Sequence, residues 1–457
     1  MDAEALRSLK PELESFLAQY AADFGREENR GHARTMVQGL LAGGDRRNVE
    51  NIAEAVEDGV VRTLQKFISQ GVWEDRQVLK TLRQQVRSEL GSEDGVLIVD
   101  ETGFPKKGTK SVGVARQYSG TLGRVDNCQV GVFLSYCSPQ GHTLCDRRLF
   151  LPEVWTKDRA RCKEAGIPAG VIFRSKPELA VDMLQQAVIE GQRFGWVAGD
   201  SVYGNSPAFV QTVRALEKKY VVEISCEAHA WSSDPEMLPV GHTTRTGGRP
   251  LKQAKPVTKP QPVSELAATI PATAWKQITV AEGSQGPRLY EYAELTVWFS
   301  EEGIPTSQPE RLLFKRSLGQ EPELKYQRSN APPGIALKKL AEVGAQRWCV
   351  EQDFQCGKGE CGLDEYETRG WIGWHHHTAL SMISLCFLML LKARLGKKTP
   401  AARRARSPHR APLPTRPAAM GRRGNTPVVT APAAPQRSRQ TLSRRSPGKA
   451  AKATAEK

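Results

Sequence analysis

Between Arg347 and Gly359 the chain reads RWCVEQDFQCGKG, with a single glutamate, Glu351, four residues after Arg347 and seven before Lys358. At about 100° per residue, offsets of four and seven return to nearly the same helix face, so a guanidinium, a carboxylate and an ammonium would share one polar stripe. Surface ion pairing alone would give such a stripe, and it stabilises a helix by only about 0.2–0.5 kcal/mol. Two other acids raise a different chemistry. Asp100 closes GVLIVD and Asp200 closes WVAGD, each an apolar run that stops at an acid followed by turn-like residues. Singly, an acid in that position is more often a turn residue or helix cap than a ligand. Three carboxylates meeting at one place would instead make an all-oxygen set suited to Mg²⁺. A pair of such ions about 3.5–4 Å apart can activate a water or a 3′-hydroxyl and stabilise the oxygen that leaves a phosphodiester.

Such a meeting depends on the elements that carry the acids. Residues 1–92 show apolar side chains three and four apart in several segments broken by Gly and Asp turns, a helical region. VLIV at 96–99 has the length and continuous apolarity of a strand buried on both faces. KSVGVARQYSG, CQVGVFLSYCS and HTLCDRRLFL then predict a three-stranded antiparallel meander, and KPELAVDMLQQAVIEGQRF a helix with Pro177 in its first turn and Gly191 near its end. WVAGD is a second short buried strand, followed by the helix NSPAFVQTVRALEKK and the strand YVVEIS. A helical crossover between the runs ending in Asp100 and Asp200 favours parallel neighbours in one sheet, about 4.8 Å apart, with both acids at the edge where ligands gather. Residues 231–330 are richer in Pro and Gly with short β-like pieces, and beyond them come the helix that carries Glu351 and the apolar helix WIGWHHHTALSMISLCFLMLLKARL that should close the core.

The formal charge of +15 is localised: Lys392–Lys457 holds 18 Lys and Arg against one acid, which leaves 47 basic against 49 acidic side chains elsewhere. The overall pI therefore says little about the folded body. From 396 to 457 the chain is mostly Pro, Ala, Ser and Arg, too poor in large apolar side chains to offset its chain entropy, and is expected to be disordered. The first residues carry no basic-then-apolar leader, and no apolar run reaches the roughly 18 residues needed to span a bilayer, so no membrane role is expected. Nine cysteines without paired spacing fit reduced core thiols better than a disulfide framework.

The β-β-β-α-β-α-β order, an acid closing its first strand, another closing its fourth and a Glu on a later helix resemble the ribonuclease H-like catalytic domain of DDE transposases. Arg347, Glu351 and Lys358 match the R-x3-E-x6-K part of the Y-x2-R-x3-E-x6-K signature of bacterial insertion-sequence transposases with a β-rich insertion ahead of the Glu. VDETGFPKKG, GVARQYSGTLGRVDNCQVGVF, GDSVYG and GLDEYETRGWIGW also look like that group; the signature Tyr is replaced by Gly344. The resemblance implies an α/β, ribonuclease H-like mixed sheet (β-β-β-α-β-α-β-α) with an N-terminal helical DNA-binding region at 1–92. The catalytic domain would occupy 93–230 and 331–395, split by the insertion 231–330 and followed by the basic tail 396–457. It also implies cut-and-paste transposition: metal-dependent cleavage at element ends and strand transfer into target DNA, with Asp100, Asp200 and Glu351 as catalytic metal ligands. The expected cofactor is two Mg²⁺ ions, with Mn²⁺ as a substitute. Expected partners are double-stranded DNA, as terminal inverted repeats and target, and a second copy of the chain in a synaptic homodimer. The expected location is the bacterial cytoplasm, at the nucleoid.

Arg347 and Lys358 are candidates for holding DNA phosphates, as are Lys106 and Lys107 just after the first acid and Arg46 and Arg47 at a helical turn; loop or surface solvation accounts for the last four equally well. Tyr203 in GDSVYG packs near the site or contacts DNA. His375, His376 and His377 near Cys349, Cys356 and Cys361 lack Cys-x2-Cys or His i,i+4 spacing, so core packing is favoured over zinc. Trp231, Trp275 or Trp298 of the insertion could stack on an extruded base. Two other classes stay open: a non-catalytic DNA-binding protein of transposase descent, and a metal-dependent nuclease without strand transfer.

Overall fold

The computed structural model describes residues 3–397 except 43, 45, 58, 244–247, 284–285 and 320; the expected disordered tail lies, from residue 398 onward, outside the described residues. Five helices open the chain, α1 (Ala3–Ala18), α2 (Glu27–Ala42), α3 (Val49–Ala55), α4 (Val61–Gln70) and α5 (Asp75–Leu90). Their apolar stripes, among them Met36, Val37 and Leu40 of α2, Leu64 and Phe67 of α4, and Val78, Leu82 and Val86 of α5, are buried. α2, α4 and α5 pack on the last helix, Trp371–Lys397. That helix is long and apolar enough to cross a membrane, but here it is the core helix, buried from Gly373 almost continuously to Phe387.

The strands β1 (Val96–Pro105), β2 (Ala115–Ser119), β3 (Arg124–Ser138) and β4 (Gly141–Phe150) follow. β3 pairs antiparallel with β1, β2 and β4, and residues 130–137 bond to both β1 and β4, which therefore lie on opposite edges of β3. Two short helices, α6 (Glu153–Thr156) and α7 (Arg159–Glu164), lead to α8 (Lys176–Ile189). α8 starts as its sequence indicates: Ser175 and Glu178 form a reciprocal capping box and Pro177 sits in the first turn. Next come β5 (Trp196–Gly199), α9 (Ser201–Gly204), α10 (Pro207–Ala215) and β6 (Lys219–Ile224). β5 lies parallel between β1 and β6, as the crossover argument requires.

The β-rich stretch contributes β7 (His229–Trp231), β8 (Met237–Leu238), β9 (Lys255–Pro256), β10 (Gln261–Pro262), α11 (Val263–Ala268), β11 (Lys276–Gly283), β12 (Gly286–Glu301), β13 (Ile304–Pro305), β14 (Glu310–Arg316) and β15 (Leu324–Ser329). It does not stand apart from the first sheet, because β15 pairs with β6 and carries β14 and β12 beyond it. Among the described residues the result is one mixed sheet of thirteen strands with helices packed on it, plus the small β8–β9 pair. The chain closes with α12 (Leu337–Ala345), α13 (Trp348–Cys361) and α14 (Trp371–Lys397).

One expectation changes. Asp100 does not end its strand; β1 runs on to Pro105. The long partner β3 supplies antiparallel bonds as far as the pair Pro105 and Cys128, so the ladder outlasts the apolar run that marked the strand in the sequence. What ends beside Asp100 is the pairing with β5, whose last rung is Val99 and Gly199.

Candidate active site

Register sets the first part of the site. Val99 pairs with Gly199, and Gly199 pairs in turn with Val222, so the next residue on each of three parallel strands is an acid: Asp100, Asp200 and Glu223. Asp200 caps α9, its Oδ1 accepting the Val202 N–H at 2.9 Å. Asp100 accepts the Glu101 N–H at 2.8 Å through Oδ1.

The second part comes from the helix. Arg347 is the N-cap of α13 and Glu351 lies in its first turn. The guanidinium turns inward: Nη1 donates to Asp100 Oδ2 at 3.0 Å, Nη2 contacts Glu351 Oε1 at 2.9 Å, and Nε lies 3.8 Å from Glu223 Oε1. Arg347 thereby joins Asp100 to Glu351 across 251 positions of sequence, while Asp200 sits beside Asp100 by register. α13 is fixed underneath by Asp353, fully buried, which accepts from Ser135 of β3 at 2.5 Å and contacts His142 of β4 at 2.7 Å.

Burial raises the Asp100 carboxyl to about 7, with Asp200 and Glu101 adding to the shift and Arg347 opposing it. Burial likewise raises Asp200, with Glu101 next in effect. Arg347 is partly desolvated, yet four carboxylates, Glu223 foremost, hold its guanidinium more firmly charged than usual. A further acid, Glu101, accepts from Tyr203 Oη at 2.7 Å and from Lys176 Nζ at 2.6 Å. Sequence reasoning missed Glu101, Glu223 and Lys176. The signal for Glu223 was one acid in the otherwise apolar YVVEIS, one residue past the rung; nothing in the sequence marks Lys176.

The remaining candidates sit as follows. Lys358, in the last turn of α13, reaches β1, its ammonium 3.3 Å from the Gly103 carbonyl and 5.5 Å from the Phe104 ring. The glycines around it do not fray α13, which continues to Cys361. Lys106 is 3.6 Å from the Tyr366 ring centre and donates to the Tyr366 carbonyl; burial lowers its pKa to about 8. Lys107 is exposed. Tyr203 is fully buried, its hydroxyl spent on Glu101. Arg46 is exposed and paired with Glu367 at 2.8 Å, whereas Arg47 is buried, with Nε on the Leu40 carbonyl. His375, His376 and His377 are buried core residues bonded to backbone carbonyls. Gly344 is buried in α12, and a Cβ there would meet the Gln327 amide at 2.9 Å and Val221 at 3.1 Å, so a Tyr at that position would require both neighbours to give way. A concavity of about 950 Å³ between α5, β4 and α8 is lined by none of these site acids, and its arginines are largely paired with Asp75, Asp146, Asp182 and Glu190.

Among the described residues no three His, Cys, Asp or Glu side chains already converge as an ion cage. Between Asp100 and Glu351 the Arg347 guanidinium stands where a cation would. The donor set nonetheless fits a hard divalent ion: it offers oxygen only, and five carboxylates, Asp100, Glu101, Asp200, Glu223 and Glu351, face Arg347 and Lys176, with Lys315 near Glu223 as a third cation.

A family profile described as DDE superfamily endonuclease matches residues 19–287. A probable transposase for insertion sequence element IS701 from Microchaete diplosiphon is 32% identical over 211 residues, which is 45% of this chain and 50% of that protein. The chain thus spans about half the length of that relative. Among solved structures, a piggyBac transposase synaptic complex with hairpin DNA aligns over 82% of this chain and 67% of its own, with a TM-score of 0.39 and 8% identity. The NurA nuclease from Sulfolobus solfataricus aligns over 71% and 93%, with a TM-score of 0.25 and 8% identity.

Proposed function

The chain belongs to the DDE superfamily endonucleases, within it to the insertion-sequence transposases, and from that premise we propose that it cuts DNA at the ends of a mobile element and joins them to a target. The observation that carries the proposal is the acid row at the β1–β5–β6 rung, linked through Arg347 to Glu351. A strand flanked by an antiparallel partner on one side and two successive parallel strands on the other, with the last acid on a later helix, supports a ribonuclease H-like arrangement of the catalytic part.

In this reading Asp100, Asp200 and Glu351 hold two Mg²⁺, or Mn²⁺ in its place. When bound, the ions would supply an activated water or 3′-hydroxyl and charge for the leaving oxygen. The chain's own residues do the positioning. The rung fixes Asp100 against Asp200, Asp353 fixes the turn that carries Glu351, and the Tyr203 and Lys176 donors fix Glu101 beside them. Exposed Lys107 and Arg46 would meet phosphates, Arg46 by leaving Glu367, whereas Lys106, Arg47 and Tyr203 are turned into the fold. Two element ends must be held together, so the working form is a homodimer on double-stranded DNA, in the bacterial cytoplasm.

The test uses purified protein, terminal-repeat DNA and Mg²⁺, followed by pre-cleaved ends with a target plasmid. Joined product is expected; cleavage alone would make the protein a nuclease, and binding alone a non-catalytic DNA-binding protein. Asp100→Ala, Asp200→Ala and Glu351→Ala should each lower cleavage by a factor of at least about 10³, as loss of a major electrostatic contributor does. Retained cleavage in any of them overturns its assignment.

A further inference from the structure

Arg347 poses a problem for any cation that is to sit among these acids, because its guanidinium already spans Asp100 and Glu351. The ion and the guanidinium compete for the same oxygens. Expelling a charged guanidinium into poorly solvated surroundings without a new partner would be costly, since only 22% of the Arg347 side chain is exposed. The structure supplies a partner. Glu223 lies one residue past the shared rung, its Oε1 3.8 Å from Nε, the one guanidinium nitrogen that neither Asp100 nor Glu351 engages. A change in the Arg347 side-chain torsions that carries the planar fork toward Glu223 would bring Nε and a neighbouring Nη onto both oxygens of one carboxylate, the two-bond geometry that guanidinium prefers.

Resting on the two-ion reading above, we infer that Glu223 is a positioning residue that receives Arg347 when a divalent cation takes Asp100 and Glu351. Glu223 is not a metal ligand in this scheme. It lowers the cost of clearing the site and keeps the guanidinium within reach of the DNA backbone.

The scheme predicts a coupling between two residues that electrostatics alone would not give. Mn²⁺ binding to the full-length protein, read by electron paramagnetic resonance without DNA, is measured for the wild type, Glu223→Gln, Arg347→Met and the double variant, with Asp100→Asn marking which binding belongs to the site. Glu223→Gln should weaken Mn²⁺ binding about tenfold when Arg347 is present and less than about twofold when it is Met, a coupling of the size seen between contacting residues. An equal weakening in both backgrounds would mean that Glu223 acts as a ligand or as general negative charge, and overturns the inference. No effect in either background overturns it as well. Should Glu223→Gln not fold, Glu223→Asp, whose shorter arm cannot hold Nε and Nη together, takes its place in the same cycle. Absence of any Asp100-dependent Mn²⁺ site would instead overturn the two-ion reading, and the inference with it.

Discussion

Asp100 carries the clearest consequence at the scale of one residue. Without a bound cation its carboxyl titrates near 7, far above an ordinary aspartate, because it is buried and faces two other acids. Between about pH 4 and 7 the folded chain then holds a proton that the unfolded chain has released, so raising the pH through that window lowers stability. A shift of about 3 units corresponds to a loss on the order of 2–4 kcal/mol. In EDTA, Asp100→Asn should match the wild type at pH 4 and exceed it in thermal stability at pH 8; equal melting curves at pH 8 would refute the shift. The position of Asp100 was legible because an apolar run stopping at an acid is a strong sign. The direction in which long cations point was not. Lys106 and Arg47 read in the sequence as solvated charges or phosphate contacts, and Arg347 as a partner of Glu351 or of phosphates, yet each is turned inward by groups distant in the chain: the Tyr366 ring and carbonyl, the Leu40 carbonyl, and the carboxylates of Asp100 and Glu223.

At the scale of elements, α13 matters most, since it must present Glu351 to a strand that it follows by some 250 residues. Besides the apolar packing of Val350, Cys349 and Cys361, it is anchored by the buried Asp353, whose carboxyl is raised by burial while His142 and Ser135 oppose the shift. Asp353→Ala would leave a hydroxyl and an imidazole without their partner, and should cost about 3 kcal/mol in urea unfolding, with Asp353→Asn restoring much of it. A loss below about 1 kcal/mol would show that α13 is held by packing alone. Helices and strands with strong periodicity, such as α8, β3 and β12, were readable from the sequence. α12 was not, because only Gln346 and Arg347 separate it from α13 and the break has no Gly or Pro to announce it. The length of β1 was also hidden: a strand reaches as far as its partner continues to bond, and that is a property of β3.

For the whole molecule, charge and sheet continuity set the terms. Residues 398–457 hold 15 Lys and Arg against one acid, a polycation without evident sequence preference. Deleting them should lower DNA affinity chiefly at low salt and flatten the dependence of log K on log salt by at least about 2 units, at roughly 0.9 for each phosphate no longer neutralised. An unchanged slope would remove the tail from DNA binding. The composition made this tail visible, but no local pattern could reveal that the β-rich stretch would extend the first sheet, since that depends on β15 finding β6. Their pairing sets Ile224 directly across from Tyr326. The chain therefore departs on a detour of about a hundred residues and comes back within one strand spacing of where it left. The detour is also tied back along its length, through Arg214 on Glu301 and Glu310 and through Tyr292 and Leu313 in the main core, so shortening or exchanging it would disturb the sheet on which the acid row stands.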